Sequence, residues 1–178
     1  KMPIRMIGVW DTVGEFGVPQ FNGLRMFDRD ELRFMKFADR ELSRQVEYGR
    51  QALAVDEERA DFPPTLWNER EGIKQVWFAG VHADIGGGYE HHGLSDIALE
   101  WMINEVNDLD AGLRLLPAQL SEPLAPNALE DRHDETHNLV WRSRPHDERK
   151  IPDDAELHPS VLWRLQERAD YRPQALED

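Results

Sequence analysis

The chain has 178 residues, a formal net charge of −14 and no cysteine. That length suits one domain with a real core, and 40% hydrophobic with 31% charged residues is a soluble globular composition rather than a membrane or disordered one. The charge argues against nucleic acid as a partner and against electrostatic adsorption to anionic membranes, while the lack of cysteine excludes a disulfide framework, thiolate metal ligation and a thiol nucleophile.

No apolar run approaches transmembrane length, and no signal peptide is visible. The chain enters a strand almost at once, Ile4-Arg5-Met6-Ile7-Gly8-Val9-Trp10, apolar on both faces apart from Arg5. That pattern fits a strand inside a covered sheet. It ends at Asp11-Thr12-Val13-Gly14, and a loop with Gly14, Gly17, Pro19 and Gly23 follows. Arg33 to Ala38 reads as a short strand. From Arg40 to Val55 the steps between Leu42, Val46, Gly49 and Leu53 predict a helix. Asp56-Glu57-Glu58-Arg59 reads as its charged exit, and Asp61-Phe62-Pro63-Pro64 breaks the chain. Asp39 and Asp56 read as solvated or capping residues.

Gln75 to Val81 is a second apolar run with β-branched and aromatic residues, which predicts a buried strand. It stops at His82. Asp84 follows two residues later, and then Gly86, Gly87 and Gly88, which suit a tight loop. Gly93-Leu94-Ser95-Asp96 opens a helix with Ser95 as the expected N-cap, and Leu94, Ile97, Ala98, Trp101, Met102 and Val106 form its apolar face. From Asp108 to Asp154 the chain is Pro-rich, charged and aperiodic, which predicts an irregular excursion over the surface. His158-Pro159-Ser160 then opens a last helix over Val161 to Arg168. Alternating strands and helices predict an α/β fold, a mainly parallel sheet with flanking helices, with too few strands for a complete doubly wound domain.

Asp11 and His82 each follow a predicted strand at its carboxyl end, where open α/β sheets bind their ligands. A carboxylate on one imidazole nitrogen fixes the tautomer and leaves the other nitrogen as a general base. Asp84 competes with Asp11 for that role, although its spacing also suits bracing the glycine loop through backbone N–H groups. His82, Asp84, His91 and His92 are possible metal ligands, which keeps a metal-dependent hydrolase using His82 and Asp84 as an alternative. The other alternative is a non-catalytic interaction domain. The glycine run before a helix has the look of a phosphate loop, but no Walker lysine follows. The serines are Ser43, Ser95, Ser121, Ser143 and Ser160, and none sits in a Gly-x-Ser-x-Gly elbow.

Gly8-Val9-Trp10-Asp11-Thr12-Val13-Gly14 and Gly80-Val81-His82-Ala83-Asp84-Ile85-Gly86-Gly87-Gly88-Tyr89 resemble an α/β-hydrolase family that includes the phospholipase effectors of type VI secretion systems. Gln51-Ala52-Leu53-Ala54-Val55-Asp56-Glu57, Gly93-Leu94-Ser95-Asp96-Ile97-Ala98, and His158-Pro159-Ser160-Val161 with Tyr171-Arg172-Pro173 extend the resemblance along nearly the whole chain. It implies a Ser-Asp-His triad with Asp11 as the acid and His82 as the base, acting on a lipid or other ester without a cofactor. It further implies export by a type VI system from the cytoplasm of the producing cell, and a membrane surface or an immunity protein as partners.

The chain departs from that pattern in two places. Gln51 stands where the family has a histidine. The nucleophile elbow belongs upstream of the Gly-Val-Trp-Asp strand, so residues 1–178 are expected to be the C-terminal portion of a larger hydrolase domain. An N-terminal complement of about 100–200 residues, the size of a partial domain, is then expected to carry the serine. On that reading the chain alone is inactive and poorly soluble.

Overall fold

The computed structural model describes residues 4–13, 42–109, 113–135, 141–142 and 145–177. Four parallel strands form one sheet: β1 (Ile4–Trp10), β2 (Val46–Ala54), β3 (Ile73–Phe78) and the short β4 (Glu156–Leu157). Their spatial order is β1-β2-β3-β4. The helices are α1 (His82–Gly86), α2 (Gly93–Asp108) and α3 (Pro159–Glu167). The protein is therefore an α/β fold with a parallel sheet and flanking helices.

The two faces of the sheet carry alternate residues of β2 and β3, as the period of a strand demands. Ala52, Ala54, Val76 and Phe78 face α2 and pack on Leu94, Ile97, Ala98, Trp101 and Met102, with Ile85 of α1 beside them. Phe78 and Trp101 meet edge to face, with ring centroids 5.4 Å apart. Fully burying a side chain such as Phe78 or Ile85 contributes about 1.5–3 kcal/mol, so this face is a major source of stability. Leu53, Val55 and Trp77 point the other way, against Leu66, Ile151, Ala155, Leu157 and Leu176. A third cluster, Ala79 with Val161 and Tyr171, ties α3 to the end of β3.

Residues 46–54 form a strand, not the helix that their periodicity predicts. From Gly49 onward every residue of β2 is buried. A strand covered on both faces loses its polar–apolar alternation, and the Ala- and Leu-containing run then imitates a helix. Burial between β1 and β3 overrides local preference. Gly49 marks the close approach: a Cβ there would lie 2.6 Å from Ile73 Cδ1 and 2.8 Å from Leu42 Cδ2. Arg50 is accommodated because its guanidinium reaches Glu105 of α2 at 2.5 Å and the carbonyls of Gly49 and Gly72, both at 2.9 Å.

Several smaller expectations shift. The cap of α2 is His92, and the Ser95 hydroxyl instead donates to the His92 carbonyl at 3.0 Å. The strand end at His82 leads into the short helix α1, so Asp84 and Gly86 are helical. The turn follows at Gly87 and Gly88, which have positive φ. Asp56 is buried rather than solvated. Between 113 and 154, the described residues include the 3-10 turn Pro117–Gln119 and an isolated bridge from His146 to Arg59, and are mostly irregular chain. The Gly- and Pro-containing loop over 14–23, the expected strand over 33–38, Asp39 and Ser143 lie outside the described residues.

Candidate active site

Parallel strands end at the same edge of a sheet, so residues that follow them gather there. Asp11 follows β1, Asp56 and Glu57 lie just beyond β2, and His82 follows β3 after a short turn. Asp11 and His82 stand 71 positions apart in the chain and come into contact: His82 Nδ1 lies 2.7 Å from Asp11 Oδ2. Asp84 is not part of that contact.

Asp11 is fully buried, at 0% exposure, and has φ of 41°, in the left-handed region that favours glycine. Its backbone N–H donates to the Ala52 carbonyl at 2.7 Å, and its Oδ1 accepts from the Ala54 amide at 2.9 Å. Non-glycine residues hold such a backbone only where the surroundings over-determine it, and here β2 does so. Oδ2 is then left to face His82, together with the Arg149 guanidinium, whose Nη2 donates to it at 2.8 Å.

The His82 side chain is 31% exposed. With Nδ1 on the carboxylate, Nε2 is the nitrogen left for a reacting partner. Its backbone amide donates to Glu57 Oε2 at 3.1 Å. The Phe62 ring packs edge-on against the imidazole, with centroids 5.2 Å apart. Trp141 packs on Phe62 at 5.6 Å, and the Arg59 guanidinium sits over both rings. An aromatic wall therefore flanks the imidazole.

Glu57 is held from several sides. Arg59 grips its carboxylate with Nε and Nη2, at 2.8 and 2.7 Å, and the Arg59 amide adds a third bond at 2.8 Å. Burial works to raise the Glu57 carboxyl, but these donors and the His82 amide hold it below its ordinary range. Asp56 goes the other way. Burial pushes its carboxyl up, although the Gly80 amide at 2.6 Å and the Tyr171 hydroxyl at 3.0 Å both donate to it.

Asp84 braces the segment that carries His82. Its Oδ2 accepts the Val81 amide at 3.0 Å and the His133 amide at 3.1 Å, and its Oδ1 meets His133 Nδ1 at 2.6 Å. Gly80, with φ of 125°, gives the approach: a Cβ there would lie 2.5 Å from Asp84 Cβ. Tyr89 stacks on the His133 ring at 3.6 Å and donates its hydroxyl to Glu135. Residues 133–135 are thus strapped across the turn that follows α1.

His92, the cap of α2, pairs with Asp96 at 2.8 Å, and His91 is exposed. Among the described residues, no group of three or more His, Asp or Glu side chains is arranged to hold a metal ion. Gln51 is buried and donates to Thr12 Oγ1 at 3.0 Å and to the Thr65 carbonyl at 3.1 Å, behind the Asp11 turn. Ser160 engages His158 at 2.8 Å, and Ser95 is used at the start of α2. An open depression of about 520 Å³ lies at the opposite end of the strands, lined by Arg44, Glu47, Tyr48 and Arg70. It has no part in the Asp11–His82 geometry.

The model of one protein family, the catalytic domain of the Tle1-like phospholipase effectors of the type VI secretion system (T6SS), matches residues 1–105. The chain belongs to this family. No curated protein and no solved structure matches it. The matched residues of the Tle1-like domain include Asp11, Glu57, His82 and Asp84, whereas His133 and Arg149 lie beyond them. Export by a type VI system fits an effector family of this kind. Among the described residues of this Tle1-like chain, no helix is long and apolar enough to cross a membrane.

Sequence reasoning missed Glu57, Phe62, His133 and Arg149. Glu57 carried a usable signal, since it follows an apolar run just as Asp11 and His82 do. The helical steps of that run hide the strand end.

Proposed function

We propose that this domain hydrolyses the carboxylic-ester bonds of phospholipids within an α/β-hydrolase fold, with Asp11 and His82 as two members of a Ser-Asp-His triad. The observation that carries the reading is the 2.7 Å contact between His82 Nδ1 and a buried carboxylate at the carboxyl edge of a parallel sheet. Membership of a phospholipase effector family supports the substrate class.

In this reading His82 Nε2 takes the proton from the serine hydroxyl as its oxygen attacks the ester carbonyl. Asp11 holds the ring and stabilises the imidazolium that forms. The imidazolium then gives its proton to the departing alkoxide, leaving an acyl-serine. A water, deprotonated by the same nitrogen, hydrolyses that ester and restores the serine. The phospholipid is cleaved to a free fatty acid and a lysolipid.

The nucleophile is the unassigned member. None of the five serines of the chain lies in a Gly-x-Ser-x-Gly elbow. We assign it to polypeptide beyond these 178 residues, which would also supply the oxyanion donors. Labelling the complete protein with a fluorophosphonate and mapping the modified peptide tests this. Label on a serine outside residues 1–178 is expected. Label on one of the five serines would overturn the assignment, and no label at all would count against a serine hydrolase.

A further inference from the structure

Asp11 Oδ2 has two partners, and only one of them belongs to the triad. The second, Arg149, comes from far along the chain, 138 residues from Asp11 and beyond the part that matches the family model. Its position is set by backbone pairing. Arg59 and His146 form an antiparallel bridge, the Ala60 amide donates to the Pro145 carbonyl at 3.2 Å, and the Asp147 amide donates to the Glu58 carbonyl at 2.8 Å. This pairing lays residues 145–149 along the segment that follows β2. Arg149 Nε then donates to the Glu57 carbonyl at 3.3 Å, while Nη2 donates to Asp11.

One guanidinium thus bridges the two residues that hold His82: Asp11, which takes its ring, and Glu57, which takes its amide. The Arg149 side chain is 3% exposed, and its buried Nη1 has no hydrogen-bond partner among the described residues. Burying a cation with an unsatisfied donor costs stability, so fold stability alone is a poor reason for this arrangement. A planar fork is also suited to fixing a carboxylate in orientation as well as charge, which lysine cannot do.

We propose that Arg149 is a positioning residue for the reaction. It fixes the Asp11 carboxylate so that Oδ2 meets His82 Nδ1, and so brings the segment 145–149 into the active site. This inference rests on the triad reading of Asp11 and His82.

The test uses the complete phospholipase, with Arg149→Ala, Arg149→Lys and, as a separate control, His82→Ala, all assayed on phosphatidylglycerol–phosphatidylethanolamine vesicles. A displaced catalytic group costs on the order of 10²-fold in rate, so Arg149→Ala should lose about that much kcat with little change in KM. Added guanidinium ion should restore about a tenth of it or more, since it replaces the missing fork. Arg149→Lys keeps the charge and the fold, and should still lose about 10-fold in kcat. It decides the matter where Arg149→Ala does not fold. Undiminished kcat in folded Arg149→Lys, or a loss in KM alone, would overturn the positioning role. Full activity in His82→Ala would instead overturn the triad reading on which the inference stands.

Discussion

Asp56 and Glu57 are neighbours in the chain, both are buried, and their carboxyl groups are displaced in opposite directions. Two strand-end acids one residue apart therefore have opposite effects on stability as pH changes. Glu57, held below its ordinary value of 4.5, stabilises the fold fully above that pH. The contribution is lost as pH falls through its lowered native value. Asp56, raised above 3.8, favours the protonated form in the folded state. Its contribution falls as pH rises from 3.8 through the raised value.

Glu57→Gln should therefore remove part of the acid-side loss of stability, at a cost of about 3 kcal/mol near neutral pH, because it leaves Arg59 without its buried partner. Asp56→Asn keeps an acceptor for Gly80 and Tyr171, and should be the milder change near neutral pH. Urea midpoints across pH for the wild type and both variants check this. Equal losses at neutral pH would contradict the electrostatic account of the pair.

Asp84→Ala removes the acceptor for the Val81 and His133 amides and the partner of the His133 ring. A stability loss of about 1–3 kcal/mol is expected for leaving buried donors unsatisfied. Activity should fall by less than in the His82 variant, because Asp84 does not contact the imidazole. His133→Ala should release the strap over Tyr89, and hydrogen exchange should then rise at residues 82–89 and 131–135. Unchanged exchange there would argue against the strap.

Gly49→Ala tests the packing of β2. The added methyl meets Ile73, Leu42 and Trp67 at 2.6, 2.8 and 3.0 Å. Overpacking of this kind costs about 1–3 kcal/mol. A thermal melt at or above the wild-type midpoint would show that β2 has room that its contacts deny.

Asp11 and His82 were visible in the sequence because each directly follows an apolar run, and a parallel sheet brings such ends together. The strands flanking β2 were visible for the same reason. β2 itself was not, because a strand covered on both faces carries no alternation, and Val46, Gly49 and Leu53 happen to fall at helical steps. Arg149 was out of reach for a different reason. It lies in an aperiodic stretch, and it reaches Asp11 through backbone pairing between residues 58–60 and 145–147, which no side-chain pattern encodes. Glu57 was hidden behind the misread element rather than by its own chemistry.

In the proposed reaction His82, oriented by Asp11, is the general base. The most direct measurement is fatty-acid release from phospholipid vesicles by the complete protein carrying His82→Ala, with Asp11→Asn beside it. A loss of about 10⁴-fold or more in kcat is expected for both, with circular dichroism showing that His82→Ala keeps its fold. Fatty-acid release at the wild-type rate by a folded His82→Ala protein would contradict the general-base role of His82.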